Sequence, residues 1–179
     1  LVCGFAEILK HSIIKDNKFF KKLDKDKNKI FESSNFKTMG ETISKSCKIK
    51  LSFVNKDEKE KNDRMILNFG HTFAHGIEAA NKYSGKINHG EAVLIGMILA
   101  TRLSYLKKVC SKKTLDTIEN LYLSNKLLKK YLNFLNKKNL NKIVNFMEVD
   151  KKNYDKKINL ILLRKIGLTT KPGQYRLSP

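Results

Sequence analysis

Hydrophobic side chains recur at intervals of three and four residues along most of the chain, the spacing of one face of an α-helix. This pattern predicts a mainly α, multi-helical fold. The predicted helices span Val2–Ile14, Asp16–Phe31, Phe36–Val54, His71 to near Tyr83, His89–Leu106, Thr114–Leu135 (one or two helices) and Leu140–Met147. Beyond these helices, the pattern indicates at most a short β element near residues 158–163.

Polar stretches separate the helices. Asn55–Asp63 carries no apolar side chain and predicts a solvated connection, Ser84–Lys86 a turn, and Asp150–Lys152 a polar break. A length of 179 residues predicts one globular domain with a proper core. The longest apolar run, Ala92–Ala100, is far shorter than the roughly 20 residues of a membrane span, so no membrane partner is expected.

The net charge of +20 comes from 37 Lys and Arg against 17 Asp and Glu. Most of the basic residues are Lys, and Asn is abundant, a bias typical of AT-rich coding sequences and solvated faces. Nucleic-acid binders more often concentrate Arg and interleave aromatic residues. We therefore expect no nucleic-acid partner, with a basic metal-binding helical module that binds nucleic acid as an alternative. The same positive field favours small anionic substrates.

The three cysteines, Cys3, Cys47 and Cys110, lie far apart and form no CxxC pair. This spacing argues against a disulfide framework or a thiolate zinc site, and it predicts a reducing, cytoplasmic setting. The chain opens on Leu1 without an initiator Met or a signal peptide, so we expect it to be part of something longer.

The histidines are the first candidates for chemistry. His71 and His75 are four residues apart and project from one face of a helix, and His89 opens the next helix. Two imidazoles from consecutive helices plus a carboxylate from elsewhere would form a zinc-type site with an open position. Thr72 stands where a metalloprotease HExxH motif needs a Glu base, so peptide hydrolysis is rejected. The alternative is a His pair that only packs or caps, and Glu91 is better explained as a helix-dipole partner than as a ligand.

Five blocks of sequence give this site a context. They are Gly4–Lys10, Lys50 with Asp57-Glu58 and Arg64, Arg64–Glu78, Asn88–Met97, and Asp150–Lys152 with the predicted strand and Ile166-Gly167. In this order they resemble the 3-dehydroquinate synthase family, the sugar-phosphate cyclases of the shikimate pathway. Small departures are Ala74, where the family usually has Gly, and Asn62-Asp63, which replaces the usual Gly before Arg64.

The resemblance covers nearly the whole chain but only the family's C-terminal half. It implies that residues 1–179 form the helical metal- and substrate-binding domain. The family's N-terminal α/β domain carries a glycine-rich NAD site, and nothing in this sequence matches it. NAD-binding residues are therefore not expected on this chain, and the isolated 179 residues are predicted to be inactive.

The resemblance also implies roles for individual residues. Glu7, His71 and His89 would be the metal ligands, although Glu7 taken by itself is better explained as a solvated helix residue. The implied catalytic residues are Lys10, which would bind a substrate hydroxyl or phosphate oxygen, and His75, which could move protons near neutral pH. The implied substrate-binding residues are Lys50 and Arg64 for a carboxylate, Asn68 with His75 for a phosphate, and Lys151 or Lys152 closing over that phosphate. His11 receives no role beyond packing or support.

The family converts 3-deoxy-D-arabino-heptulosonate 7-phosphate into 3-dehydroquinate and phosphate. The resemblance thus implies an NAD- and metal-dependent carbon–oxygen lyase, with NAD+ and Zn2+ or Co2+ as cofactors and a homodimer as the full-length form. A sister cyclase such as 2-deoxy-scyllo-inosose synthase is the alternative. Such a cyclase should lack the carboxylate-binding pair, so Lys50 with Arg64 favours the shikimate substrate.

Overall fold

The computed structural model describes residues 2–26, 36–81, 87–144 and 159–176. These residues form seven α-helices with defined bounds, one 3-10 helix and four short strands. The helices are α1 Val2–Lys15, α2 Asn17–Asp26, α3 Phe36–Val54, α4 His71–Ala80, α5 His89–Leu106, α6 Lys112–Ser124 and α7 Lys126–Leu132, with the 3-10 helix at Asp63–Asn68. Residues 137–144 are also helical. The strands are β1 Asn159–Leu160, β2 Leu163–Lys165, β3 Leu168–Thr169 and β4 Tyr175–Arg176.

Helix α5 is the centre of the domain because it is apolar on nearly every side. Its residues from Ala92 to Ile98 are all buried, and helices α1, α4, α6 and α7 pack around it. A helix that is hydrophobic all round must be surrounded by others, which explains its place. The hydroxyl of Tyr122 on α6 donates to the Leu94 carbonyl at 2.6 Å and fixes α6 against this core.

The β structure is a small addition to the helices. β1 pairs with β4 and β2 with β3, each pair antiparallel. Side-chain and backbone hydrogen bonds hold these strands on the helices: the Leu163 amide donates to Ser104 Oγ of α5 at 2.8 Å, and the Gly167 amide donates to the Ile13 carbonyl of α1 at 2.7 Å. The strands thereby close one end of the helical core.

The mainly α prediction is confirmed. Within the described residues the β structure is short, as expected, but it extends beyond residues 158–163 to Arg176. The predicted strand is interrupted at Ile161-Leu162 because its two ends pair with different partners. The segment predicted as one or two helices is two, divided at Asn125, whose side chain accepts the Leu128 amide at the start of α7.

Some predicted elements fall partly outside the described residues: the end of the second helix beyond Asp26, the turn at Ser84–Lys86, and the segment from residue 145 to 158. Lys151 and Lys152 lie in that last segment. Among the helices described, none is long and apolar enough to cross a membrane.

Candidate metal centre and substrate cleft

Close backbone packing determines where the candidate ligands lie. A side-chain carbon on Gly90, the residue after His89, would lie 2.3 Å from the Cα of Cys3, so only glycine lets α1 and α5 approach this closely. Gly70 precedes His71 with a φ of 82°, a left-handed conformation that favours glycine. Of the three predicted ligands, His71 lies at the start of α4, His89 at the start of α5 and Glu7 in the second turn of α1.

His71 lies between the other two predicted ligands. Its Nε2 is 3.9 Å from Oε1 of Glu7, and its ring centroid is 5.4 Å from that of His89. Burial, together with the nearby charge of Lys10, lowers the pKa of His71 to about 4. The imidazole is thus neutral at neutral pH, which is the form that binds a metal.

The side chains of Glu7 and His89 are engaged with other partners. Both carboxylate oxygens of Glu7 accept hydrogen bonds from Lys10 Nζ, at 3.0 and 2.9 Å, and Nδ1 of His89 lies 3.0 Å from Oε1 of Glu78. In the described parts of the chain, no group of three His, Cys, Asp or Glu side chains is arranged to hold a metal ion. The donor set nevertheless fits Zn2+ or Co2+ chemically, since it offers two imidazoles and a carboxylate on adjacent helices.

Lys10, a predicted substrate-binding residue, is deeply buried. Only 3% of the residue is exposed. Burial lowers the pKa of Lys10, and the ion pair with Glu7 partly offsets that effect. For Glu7, burial raises the pKa, but the charge and hydrogen bonds of Lys10 outweigh it and leave a net lowering. Glu7 is therefore a partly buried carboxylate in an ion pair, rather than the solvated helix residue that its sequence context favoured.

The ring of His11 makes a specific polar contact in addition to packing. Its Nδ1 lies 2.7 Å from Oγ of Ser46 on α3. Its Nε2 is buried, makes no hydrogen bond to any residue that the structure describes, and lies 3.8 Å from Oε2 of Glu7. A buried polar atom without a partner is uncommon and is costly unless a neighbour can supply one. The carboxylate of Glu7 is the polar group in position to do so.

A cleft of about 450 Å³ opens beside His71. His75 is on its wall, one helical turn from His71, with the two ring centroids 6.0 Å apart. The prediction that His71 and His75 share a face is confirmed by this geometry. The lining residues are Glu60, Met65, Asn68, His71, Thr72, His75, Asn159 and Ile161.

Glu60 is a cleft residue that the sequence analysis missed. Its Oε1 accepts a hydrogen bond from Asn68 Nδ2 at 2.8 Å, and its Oε2 lies 3.7 Å from Nε of Arg64. Glu60 lies in a charged run that indicates only a solvated connection. The sequence signal that could have found it is its spacing from Arg64, four residues later.

Asp57 organises the loop that carries Glu60 and Arg64. Its carboxylate accepts the backbone amides of Lys61, Asn62 and Arg64 at 3.0, 2.6 and 3.1 Å. Removal from water raises the pKa of Asp57, but these three hydrogen bonds reverse the direction and lower it. The connection predicted as merely solvated is therefore held by a buried acceptor.

Arg64, Lys50 and Glu91 each have surroundings of their own. Arg64 pairs with Glu60 and donates to the Glu58 carbonyl. Lys50 is exposed on α3, near enough that its charge contributes to lowering the pKa of Lys10. Glu91 closes a capping box with Asn88 at the start of α5, which agrees with its explanation as a helix-terminus residue.

Comparison with known proteins identifies relatives over the same region. A family model described as 3-dehydroquinate synthase C-terminal matches residues 4–153. A 3-dehydroquinate synthase from Pelagibacter ubique (strain HTCC1062) is 49% identical over 169 residues, covering 93% of this chain and 45% of the relative. One from Endomicrobium trichonymphae is 40% identical over 166 residues, covering 92% and 44%. The chain thus spans less than half the length of these relatives.

Solved structures agree in fold. The 2-epi-5-epi-valiolone synthase ValA from Streptomyces hygroscopicus subsp. jinggangensis 5008, with NAD+ and Zn2+ bound, matches 94% of this chain and 46% of its own, with a TM-score of 0.76 at 22% identity. A 2-deoxy-scyllo-inosose synthase complexed with carbaglucose-6-phosphate, NAD+ and Co2+ matches 99% of this chain and 48% of its own, with a TM-score of 0.74 at 26% identity. The sequence resemblance is confirmed, and the mainly α domain is one that sugar-phosphate cyclases share.

Proposed function

The chain belongs to the 3-dehydroquinate synthase family, and from this premise we propose that it supplies the metal- and substrate-binding half of a 3-dehydroquinate synthase. The proposed enzyme is an NAD- and metal-dependent carbon–oxygen lyase that converts 3-deoxy-D-arabino-heptulosonate 7-phosphate into 3-dehydroquinate and phosphate. Its NAD+ would be bound mainly by a second, N-terminal domain. The relatives are more than twice as long as the matched region, which leaves room for such a domain.

One observation carries the proposal: a carboxylate from α1 meets an imidazole from α4, and that imidazole lies beside one from α5. Glu7 and His71 are 64 positions apart in the sequence, yet Oε1 of Glu7 and Nε2 of His71 lie 3.9 Å apart. Helix packing alone does not require a carboxylate and a second imidazole to lie beside a neutral imidazole that lines a cleft, as Glu7 and His89 lie beside His71. Glu7, His71 and His89 are the proposed ligands of Zn2+ or Co2+.

Glu7, His71 and His89 would hold the metal ion, which would supply Lewis-acid polarisation of substrate oxygens, while NAD+ would supply transient hydride transfer. The chain's own residues would hold and orient the substrate. Lys10, whose Nζ lies within hydrogen-bond distance of the Glu7 carboxylate, would donate to a substrate hydroxyl or phosphate oxygen. The substrate carboxylate would lie against Lys50 and Arg64, because the guanidinium offers a planar pair of donors.

Asn68 and His75 would bind the phosphate at the wall of the cleft. His75 is exposed there and is the residue proposed to move the proton during phosphate elimination, since an imidazole can both accept and donate a proton. Lys151 or Lys152 would close over the same phosphate. The role of all these groups is to fix a dianion and a carboxylate in one orientation.

Metal binding by the 179-residue chain tests the proposed centre. We expect the chain to bind one Co2+ and to give the absorption spectrum of a four- or five-coordinate ion. Glu7→Gln, His71→Gln and His89→Gln should each abolish or strongly weaken that binding. His75→Gln is the matched control, because His75 lies one turn from His71 on the same helix and is not a proposed ligand. Co2+ binding that survives all three ligand substitutions would contradict the proposal.

Phosphate release tests the reaction. The chain joined to the N-terminal half of the Pelagibacter ubique relative should release phosphate from 3-deoxy-D-arabino-heptulosonate 7-phosphate with NAD+ and Co2+, and the isolated chain should not. Glucose 6-phosphate in the same assay tests the sister-cyclase alternative, since that substrate has no carboxylate. Turnover by the isolated 179 residues would contradict the need for a second domain.

Two further expectations belong to the same proposal. The full-length enzyme is expected to form a homodimer, which sedimentation would measure. The three cysteines are free thiols in the structure, and this accords with a reducing, cytoplasmic setting.

A further inference from the structure

Glu78 is the outer hydrogen-bond partner of His89. Its Oε1 lies 3.0 Å from Nδ1 of His89, across the connection between α4 and α5. Only 17% of the Glu78 side chain is exposed, against 50% of the His89 side chain. The carboxylate is therefore the fixed member of the pair and the imidazole is the member that it orients.

The position of Glu78 along α4 allows it to reach the ring of His89. Glu78 follows His71 by seven residues, two turns of α4, and so lies on the same face as that ligand. The backbone of His89 is held separately, because the capping box of Asn88 and Glu91 fixes the first turn of α5. With the backbone set by the cap and the ring set by Glu78, His89 has little freedom of orientation.

The contact also selects which nitrogen carries the proton. Carboxylate oxygens only accept hydrogen bonds, so Nδ1 of His89 must donate, and in the neutral ring the lone pair is then on Nε2. His71 follows the same pattern: its Nδ1 lies 3.5 Å from the Phe69 carbonyl, and its Nε2 is the atom near Glu7. Both imidazoles thus use Nδ1 for an outer partner and leave Nε2 for the centre.

We infer that Glu78 is a positioning residue, which fixes the tautomer and the ring orientation of His89 so that Nε2 can bind the metal. This inference rests on the proposed function. Outer partners of this kind typically raise metal affinity by about 10- to 100-fold. Glu78 itself touches neither the metal nor the substrate.

The first test measures the dissociation constant for Co2+ in the 179-residue chain. Glu78→Ala should raise it by about 10- to 100-fold, and Glu78→Gln, which keeps an acceptor oxygen but loses the charge, should raise it less. Glu119→Gln is the matched control, because it removes a partly buried helical carboxylate whose partner, Arg102, lies near the C-terminal end of α5, 13 residues after His89. That variant should bind Co2+ as the wild type does.

The second test needs no metal. The ring-nitrogen chemical shifts of His89 should report the Nδ1–H tautomer in the wild type and lose that preference in Glu78→Ala. Equal Co2+ affinities of wild type and Glu78→Ala, or identical His89 tautomers, would overturn the positioning role while leaving the proposed metal centre standing. A wild-type chain that binds no Co2+ would overturn both.

Discussion

Gly96 in the middle of α5 lies directly against the backbone of Gly70, the residue before His71. A side-chain carbon on Gly96 would lie 2.1 Å from the Gly70 carbonyl oxygen and 3.2 Å from the Ala74 amide nitrogen. Gly70 in turn faces Met97, at 2.9 Å from such an added carbon. The spacing of α4 and α5, and with it the position of His71 relative to His89, therefore depends on two glycines in contact.

Gly96→Ala should destabilise the domain, because the added methyl group has to displace the backbone of α4. We expect a loss of about 1–3 kcal/mol in the free energy of unfolding, the range for overpacking a tight core. Urea denaturation would measure it. Gly40→Ala is the matched control: Gly40 is an exposed position in α3, and apart from its chain neighbours and its own helix backbone, no described residue places an atom within 4 Å of the added carbon. That substitution should instead stabilise by about 1 kcal/mol through helix propensity. Similar effects at both positions would contradict the packing argument.

Asp57→Ala should loosen the loop that carries Glu60 and Arg64. Three backbone amides would lose their shared acceptor. Their amide hydrogens would then exchange with solvent more readily. Hydrogen exchange should become faster at Lys61, Asn62 and Arg64, with α5 unchanged. Asp63→Ala, which removes an exposed carboxylate from the same loop, should leave those three amides protected. Unchanged exchange rates in Asp57→Ala would show that the loop is held by other contacts.

Asp16 gives a pH-dependent contribution to stability. The Phe19 amide donates to its carboxylate at 2.9 Å at the start of α2, and Lys45 Nζ lies 2.9 Å away. These contacts lower the pKa of Asp16 below its ordinary value of 3.8. A group whose pKa is lower in the folded state stabilises that state above the unfolded pKa and loses its contribution as the pH falls through the folded value.

Asp16→Asn keeps a helix-capping oxygen but removes the charge. At pH 6 we expect it to be less stable than the wild type by up to about 1 kcal/mol, since the pair with half-exposed Lys45 is screened by solvent. Below pH 3.8 the difference should shrink towards zero. Urea denaturation at several pH values would measure the trend. A difference independent of pH, or one that grows on acidification, would contradict the assignment.

Tyr131→Phe should weaken the attachment of α7 to the start of α5. The Tyr131 hydroxyl donates to Oε1 of Glu91 at 3.0 Å, beside a second donor, Lys130, at 3.1 Å. Losing a partly buried hydrogen bond to a charged group should cost about 1–2 kcal/mol of unfolding free energy. Thermal or urea denaturation would measure it. The control Tyr105→Phe changes an exposed tyrosine and should stay within about 0.5 kcal/mol of the wild type.

The helices could be predicted from the sequence because their signals are local. The spacing of three and four residues that predicted them lies within each helix, and so does the apolar run Ala92–Ala100 of α5. The pattern also indicated that His71 and His75 share one face, because residues four apart on a helix are neighbours. The strands were less predictable: β1 is paired with a segment 16 positions later, and strand pairing depends on partners that a local pattern does not contain.

The candidate site divides in the same way. By itself the sequence determined the helices, the shared face of His71 and His75, and the family, since these depend on residue order and short spacings. Only the tertiary structure decided that Glu7 is held by Lys10, that Glu60 lines the cleft and that Glu78 orients His89. Those contacts join groups on different segments, or depend on which of several side-chain orientations the packed neighbours allow. Burial and distance, which set charge and orientation at the centre, exist only once α1, α4 and α5 have packed together.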